Sequence, residues 1–99
     1  MDQKQIKLGV AWFREDQWEL LKTTAADSET IEDTYQKWLT GAVKRMEELI
    51  KEGYETVKID FDVDKFNDWC QNNEKVPNGE SRSEYTAQLL RINDQFSSN

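Results

Sequence analysis

Histidine is missing from the whole chain of 99 residues, and cysteine occurs once, at Cys70. The first absence removes every Ser-His or Cys-His nucleophile pair and every zinc site that needs imidazole. The second removes an internal disulfide and a thiolate zinc cluster within one chain, as expected of a protein in a reducing cytoplasm. The sequence neighbours of Cys70, Asp68 and Trp69, offer nothing that lowers a thiol pKa, so it reads as a buried, inert side chain. No run of about 18 apolar residues exists to cross a bilayer. The N-terminal MDQKQIKLG lacks the apolar stretch of a signal peptide. Four scattered glycines match neither phosphate-loop fingerprint, and no cofactor is implied. Positive charge is the scarce sign, with 13 Lys and Arg against 20 Asp and Glu, a net charge of −7. That balance opposes direct binding to nucleic-acid backbones and to anionic membranes. It suits solubility, or attraction to a basic protein partner.

Aromatic residues are what the chain has in quantity: four Trp, four Phe and three Tyr, against a hydrophobic content of only 36%. Each buries more area than an aliphatic side chain, so a thin core can still hold one domain over residues 1–99. The strongest pattern lies between Ser28 and Gly53. Ile31, Tyr35, Trp38, Leu39, Ala42, Val43, Met46, Leu49 and Ile50 fall on one stripe of roughly 140° at helical spacing. This predicts a long central helix, capped by Asp27 or Ser28 and ended by a left-handed Gly53. Gly41 is its one local fault.

Ahead of that helix, Ile6 to Phe13 alternates as a strand. Ile6, Leu8, Val10 and Trp12 are expected on the core face, with Lys7, Gly9 and Ala11 toward water. A short helix is predicted from Glu15 to Ala25. After Gly53, Tyr54 to Phe61 reads as a second strand with Val57, Ile59 and Phe61 on one face. Asp62 should cap a third helix, with Phe61 and Phe66 as a hydrophobic staple. The turn NNEKVPNG leads to a last helix with a Ser81–Glu84 capping box and a stripe of Tyr85, Leu89, Ile92 and Phe96. Ser97 to Asn99 form a frayed tail. The order β-α-α-β-α-α places the chain in the α+β class. A shift of 51 residues aligns Ile6 with Val57 and Trp18 with Trp69, suggesting two strand-helix-helix halves, 1–53 and 54–99.

Candidate chemistry is confined to Asp60, Asp62 and Asp64. Alternating carboxylates can hold a divalent cation, but the EF-hand loop needs glycine sixth and glutamate twelfth, where this chain has Lys65 and Gln71. The competing reading has Asp60 facing water while Asp62 and Asp64 cap and charge the next helix. Trp12, Trp18, Trp38 and Trp69 all fit apolar faces and read as core. The segments GVAWFREDQWELL, DTYQKWL, VDKFNDWCQNN and SRSEYTAQLL resemble a group of short bacterial proteins of unknown function. That resemblance implies a bacterial or phage cytoplasmic protein and carries no catalytic or binding residue with it. The expected function is a non-enzymatic binding or regulatory module, acting through a protein partner or as a homodimer. Two other functions suit this composition: an acidic antagonist, such as an immunity protein or an inhibitor of a nucleic-acid enzyme, and a carboxylate and metal-dependent enzyme.

Overall fold

The computed structural model describes residues 6–97, with side chains as far as Asn93. Lys7–Phe13 (β1) and Glu55–Phe61 (β2) pair in parallel, with Lys7 beside Glu55 and Phe13 beside Phe61. Parallel strands need a crossover, and here it consists of Trp18–Thr24 (α1) and Tyr35–Lys51 (α2). Val63–Asn72 (α3) and Gly79–Ser97 (α4) follow β2, giving the expected β-α-α-β-α-α order of an α+β domain. In the pairing register Gly9 lies beside Val57.

The long helix begins later than its apolar pattern suggests. Ser28–Thr30 is a single 3-10 turn, and α2 starts only after Thr34, whose side chain accepts the Lys37 N–H at 3.2 Å. The reason lies in α1. Lys22 Nζ donates to the carbonyls of Ile31 at 3.0 Å, Glu32 at 3.1 Å and Ser28 at 3.5 Å. An ammonium that gathers three carbonyls holds this segment as a loop, and Asp27, one of the two expected caps, is engaged elsewhere. The end of α2 is as expected: Gly53 has φ of 101°, open to glycine at no steric cost. Trp38, early in α2, stands against Trp12 and Phe13 at the end of β1, with ring centroids 5.3 and 5.0 Å away. Tyr54 N–H then bonds the Leu49 carbonyl just before β2. The helix therefore runs back along the sheet, as a crossover must.

The faces of β1 are the reverse of the expectation. Ala11 and Phe13 pack on the core, and Gly9 lies under α4, while Ile6 is 63% exposed and Leu8, Val10 and Trp12 are half-buried. Small residues here serve close approach, not exposure. A Cβ at Gly9 would lie 3.2 Å from Ile59 Cγ1 and 3.3 Å from Leu90 Cβ.

The core gathers at the carboxyl ends of the strands. Trp18, Leu21, Phe61, Val63, Phe66, Cys70 and Tyr85 are buried, with Trp38, Trp69 and Leu89 packed around them. In α3 the local rules hold: Asp62 accepts the N–H groups of Asp64 and Lys65, and Phe61 meets Phe66 at 5.0 Å. In α4 they do not. Asn78 Oδ1, not Ser81, accepts a first-turn N–H, and Ser81 itself is buried. Of the predicted stripe, Tyr85 is buried and Leu89 half-buried, Ile92 is exposed, and the Phe96 side chain lies outside the described residues, as do Ser98 and Asn99. Ser97 closes α4.

Candidate functional site: the open edge of β1

The structure divides the three candidate carboxylates among separate duties. Asp60 faces Arg14, with Oδ1 3.0 Å from Nε and Oδ2 2.6 Å from Nη2. Asp62 caps α3 and also accepts the Gln17 amide at 3.1 Å, while Gln17 Oε1 takes the Val63 N–H at 2.8 Å. Asp64 is exposed in the first turn of α3. Among the described residues no group of three carboxylates or thiols could hold a metal ion. The cation beside this pair of aspartates is the Arg14 guanidinium. It holds the Asp60 carboxyl below its ordinary range, and the Gln17 amide does the same for Asp62. Cys70 is buried, and desolvation pushes its thiol pKa up, the direction of an unreactive side chain.

A second polar cluster joins the two halves of the chain. Asp27 accepts the Gly79 N–H at 2.9 Å and meets Arg82 through both guanidinium nitrogens, at 3.0 and 2.9 Å. Ala26 N–H bonds the Pro77 carbonyl beside it at 2.9 Å. The Arg82 hydrogen bonds hold the Asp27 carboxyl below its usual range against the opposing effect of burial. This clamp fixes the start of α4 against the α1–α2 connection, and so sets where α4 lies on the sheet.

With α4 so placed, the edge of β1 becomes a groove. Glu55 N–H donates to the Ile6 carbonyl at 3.0 Å, which fixes the phase of the ladder. Successive residues of a strand turn their backbone groups to opposite sides, so Leu8, Val10 and Trp12 point theirs at β2. Gly9, Ala11 and Phe13 point theirs outward, where no other described strand pairs with them. Beside them, Ser83, Thr86, Ala87 and Leu90 of α4 form the second wall of a groove of about 470 Å³. Among the described residues no carboxylate lines it, although the protein is strongly acidic; the charged side chains described there are Lys7 and Arg82.

The two sheet edges differ in a way that selects one. On β2 the outward residues include Lys58 and Asp60, exposed charges of the kind that guard an edge. On β1, Leu8 to Phe13 carries no charge at all. The sequence shows two proline-free strands whose edges are open to pairing, but not which edge forms a groove, because that depends on where α4 lies, a contact between distant segments. The signal that was available is that β1 is apolar on both faces, the pattern of an interior strand, yet it lies at an edge. No family model, curated protein or solved structure matches the chain.

Proposed function

We propose that this protein is a non-enzymatic binding module, working in a bacterial cytoplasm, that takes up an extended polypeptide segment as an added strand along β1. The supporting observation is the coincidence of an unguarded strand edge with a groove walled by α4. Strand addition draws affinity from main-chain hydrogen bonds and specificity from pockets for alternate side chains. Gly9, Ala11 and Phe13 offer the first, and the small residues Ser83, Thr86 and Ala87 leave room for the second. An acidic antagonist of a basic groove would act through its carboxylates, and those lie outside this site. A metal-dependent reading would need Asp60 and Asp62 released from Arg14 and Gln17.

The test is selection from an unbiased library of extended peptides, followed by amide shift mapping of the bound form. Binders should move the amides of Gly9, Ala11, Phe13, Ser83 and Ala87, and Ala11→Pro should abolish binding. The Ala11 N–H points away from β2, so proline there removes an outward donor and leaves the β1–β2 ladder intact. Shifts confined to the exposed acidic surface would favour the antagonist. Calorimetric titration with magnesium, manganese or calcium that gave micromolar binding lost in Asp60→Asn would favour the enzyme.

A further inference from the structure

We propose that the strand this groove takes is β1 of a second copy, added antiparallel about a two-fold axis through Val10, so that two two-stranded sheets become one four-stranded sheet. This names the occupant of the site proposed above and rests on that reading. The groove asks for a segment that is extended, uncharged for about six residues, small where it passes under α4 and apolar on the other face. Leu8 to Phe13 of the chain itself meets each requirement.

The two-fold register follows from the outward groups. Gly9 of one copy lies opposite Ala11 of the other, and each such pair exchanges two hydrogen bonds. Both residues lie on the face that α4 covers, where a Cβ at Gly9 would already stand 3.3 Å from Leu90 Cβ, so small groups fit best. On the opposite face Val10 meets Val10, and Leu8 meets Trp12, so apolar surface that is half-buried in one copy becomes shared. Lys7, the only charge in the strand, falls opposite Phe13 and meets no like charge. The arginines nearest the strand are already paired, Arg14 with Asp60 and Arg82 with Asp27. A basic peptide would find no carboxylate among the described residues of the groove, whereas an uncharged strand finds a match.

The size of the fold argues the same way. The sheet has two strands, and only nine apolar residues of the described chain are buried. An open strand edge is a template for pairing, and closed two-fold dimers are the commonest oligomers of soluble chains. The charge of −7 on each copy opposes association over distance, and salt screens it.

Sedimentation equilibrium of the full chain and two variants tests this. The parent should move from 11.7 kDa toward twice that mass as concentration rises through the micromolar range, and more readily in high salt. Ala11→Pro removes one donor from each copy and should weaken association by about tenfold or more. Val10→Cys in a Cys70→Ala background should form an intermolecular disulfide on mild oxidation. Opposed residues of this kind lie about 4.5 Å apart at Cα, within disulfide reach. Lys58→Cys, on the guarded edge of β2, should not. If Ala11→Pro does not fold, the crosslinking pair decides. A parent of 11.7 kDa at every concentration and salt overturns the second copy as occupant, as does crosslinking at Lys58→Cys in place of Val10→Cys. A monomer that still binds library peptides at β1 leaves the strand-addition reading standing. A monomer that binds none removes both.

Discussion

Asp27 and Arg82 lie 24% and 12% exposed, so water screens their attraction far less than it screens Arg14 and Asp60, at 40% and 68%. Removing one partner leaves the other partly buried and short of hydrogen bonds, which costs more than the intact pair contributes. Asp27→Asn keeps the volume and discards the charge. It should lower stability by about 2 kcal/mol, read as a fall in the urea midpoint with an unchanged slope. The opposite sign is expected at Gly41, which sits mid-helix in α2 with nothing within 4 Å of where a Cβ would be. Its presence serves no close approach. Gly41→Ala should therefore raise stability by about 0.5–1 kcal/mol on the same denaturation curve, and a drop would mean that an unseen partner packs on that face of α2.

At the scale of the element, the beginning of α2 separates what the apolar pattern encodes from what a single long-range donor decides. Thr34→Ala should cost about 1 kcal/mol through loss of the bond to the Lys37 N–H, while Ser28→Ala should cost no more than a few tenths. Equal costs in thermal unfolding followed by circular dichroism would restore Ser28 as the cap. The same division explains how much of the fold was legible. Periodicity located α2, but Val43 and Ile50 of its expected core stripe are exposed. The left-handed Gly53, the Asp62 cap and the Phe61–Phe66 staple act within a few residues of one another, and each was readable from the chain. The true start of α2 was not, because Lys22 reaches it from a different helix. Nor was the core face of β1, since both of its faces are apolar and only the position of α4 distinguishes them. The Asn78 cap of α4 was not read either, because the Ser81–Glu84 pattern fits a capping box just as well. The candidate site followed the same rule. Asp60, Asp62 and Asp64 stand out in one dimension, but Arg14 and Gln17, some 45 residues away, decide what two of them do. The β1 groove leaves no motif because half of it is α4.

Across the whole molecule, charge makes stability depend on pH in two opposing ways. Asp27, Asp60 and Asp62 have carboxyl pKa values lowered in the fold by Arg82, Arg14 and Gln17 respectively. Above the ordinary value of 3.8 both folded and unfolded chains hold these groups ionised, and their stabilisation is fully present. As pH falls below that value the unfolded chain takes up protons first, so stability declines until the folded groups also titrate. Meanwhile 20 acidic against 13 basic side chains repel one another near neutrality, a cost that shrinks as carboxylates protonate and that salt screens. The thermal midpoint should therefore rise modestly as pH falls from 7 toward about 5, and then drop steeply below about 4. Added salt at about 0.5 M should flatten the first limb, because exposed carboxylates are screened. It should leave more of the second, because the Asp27–Arg82 clamp is far less exposed than Arg14–Asp60. Asp27→Asn isolates that contribution: its acid limb should be shallower than the parent's, while the limb above pH 5 keeps its shape. Midpoints collected from about pH 2 to 7 at low and high salt decide between these outcomes, and identical acid limbs in parent and variant would mean that the clamp is not what acid breaks.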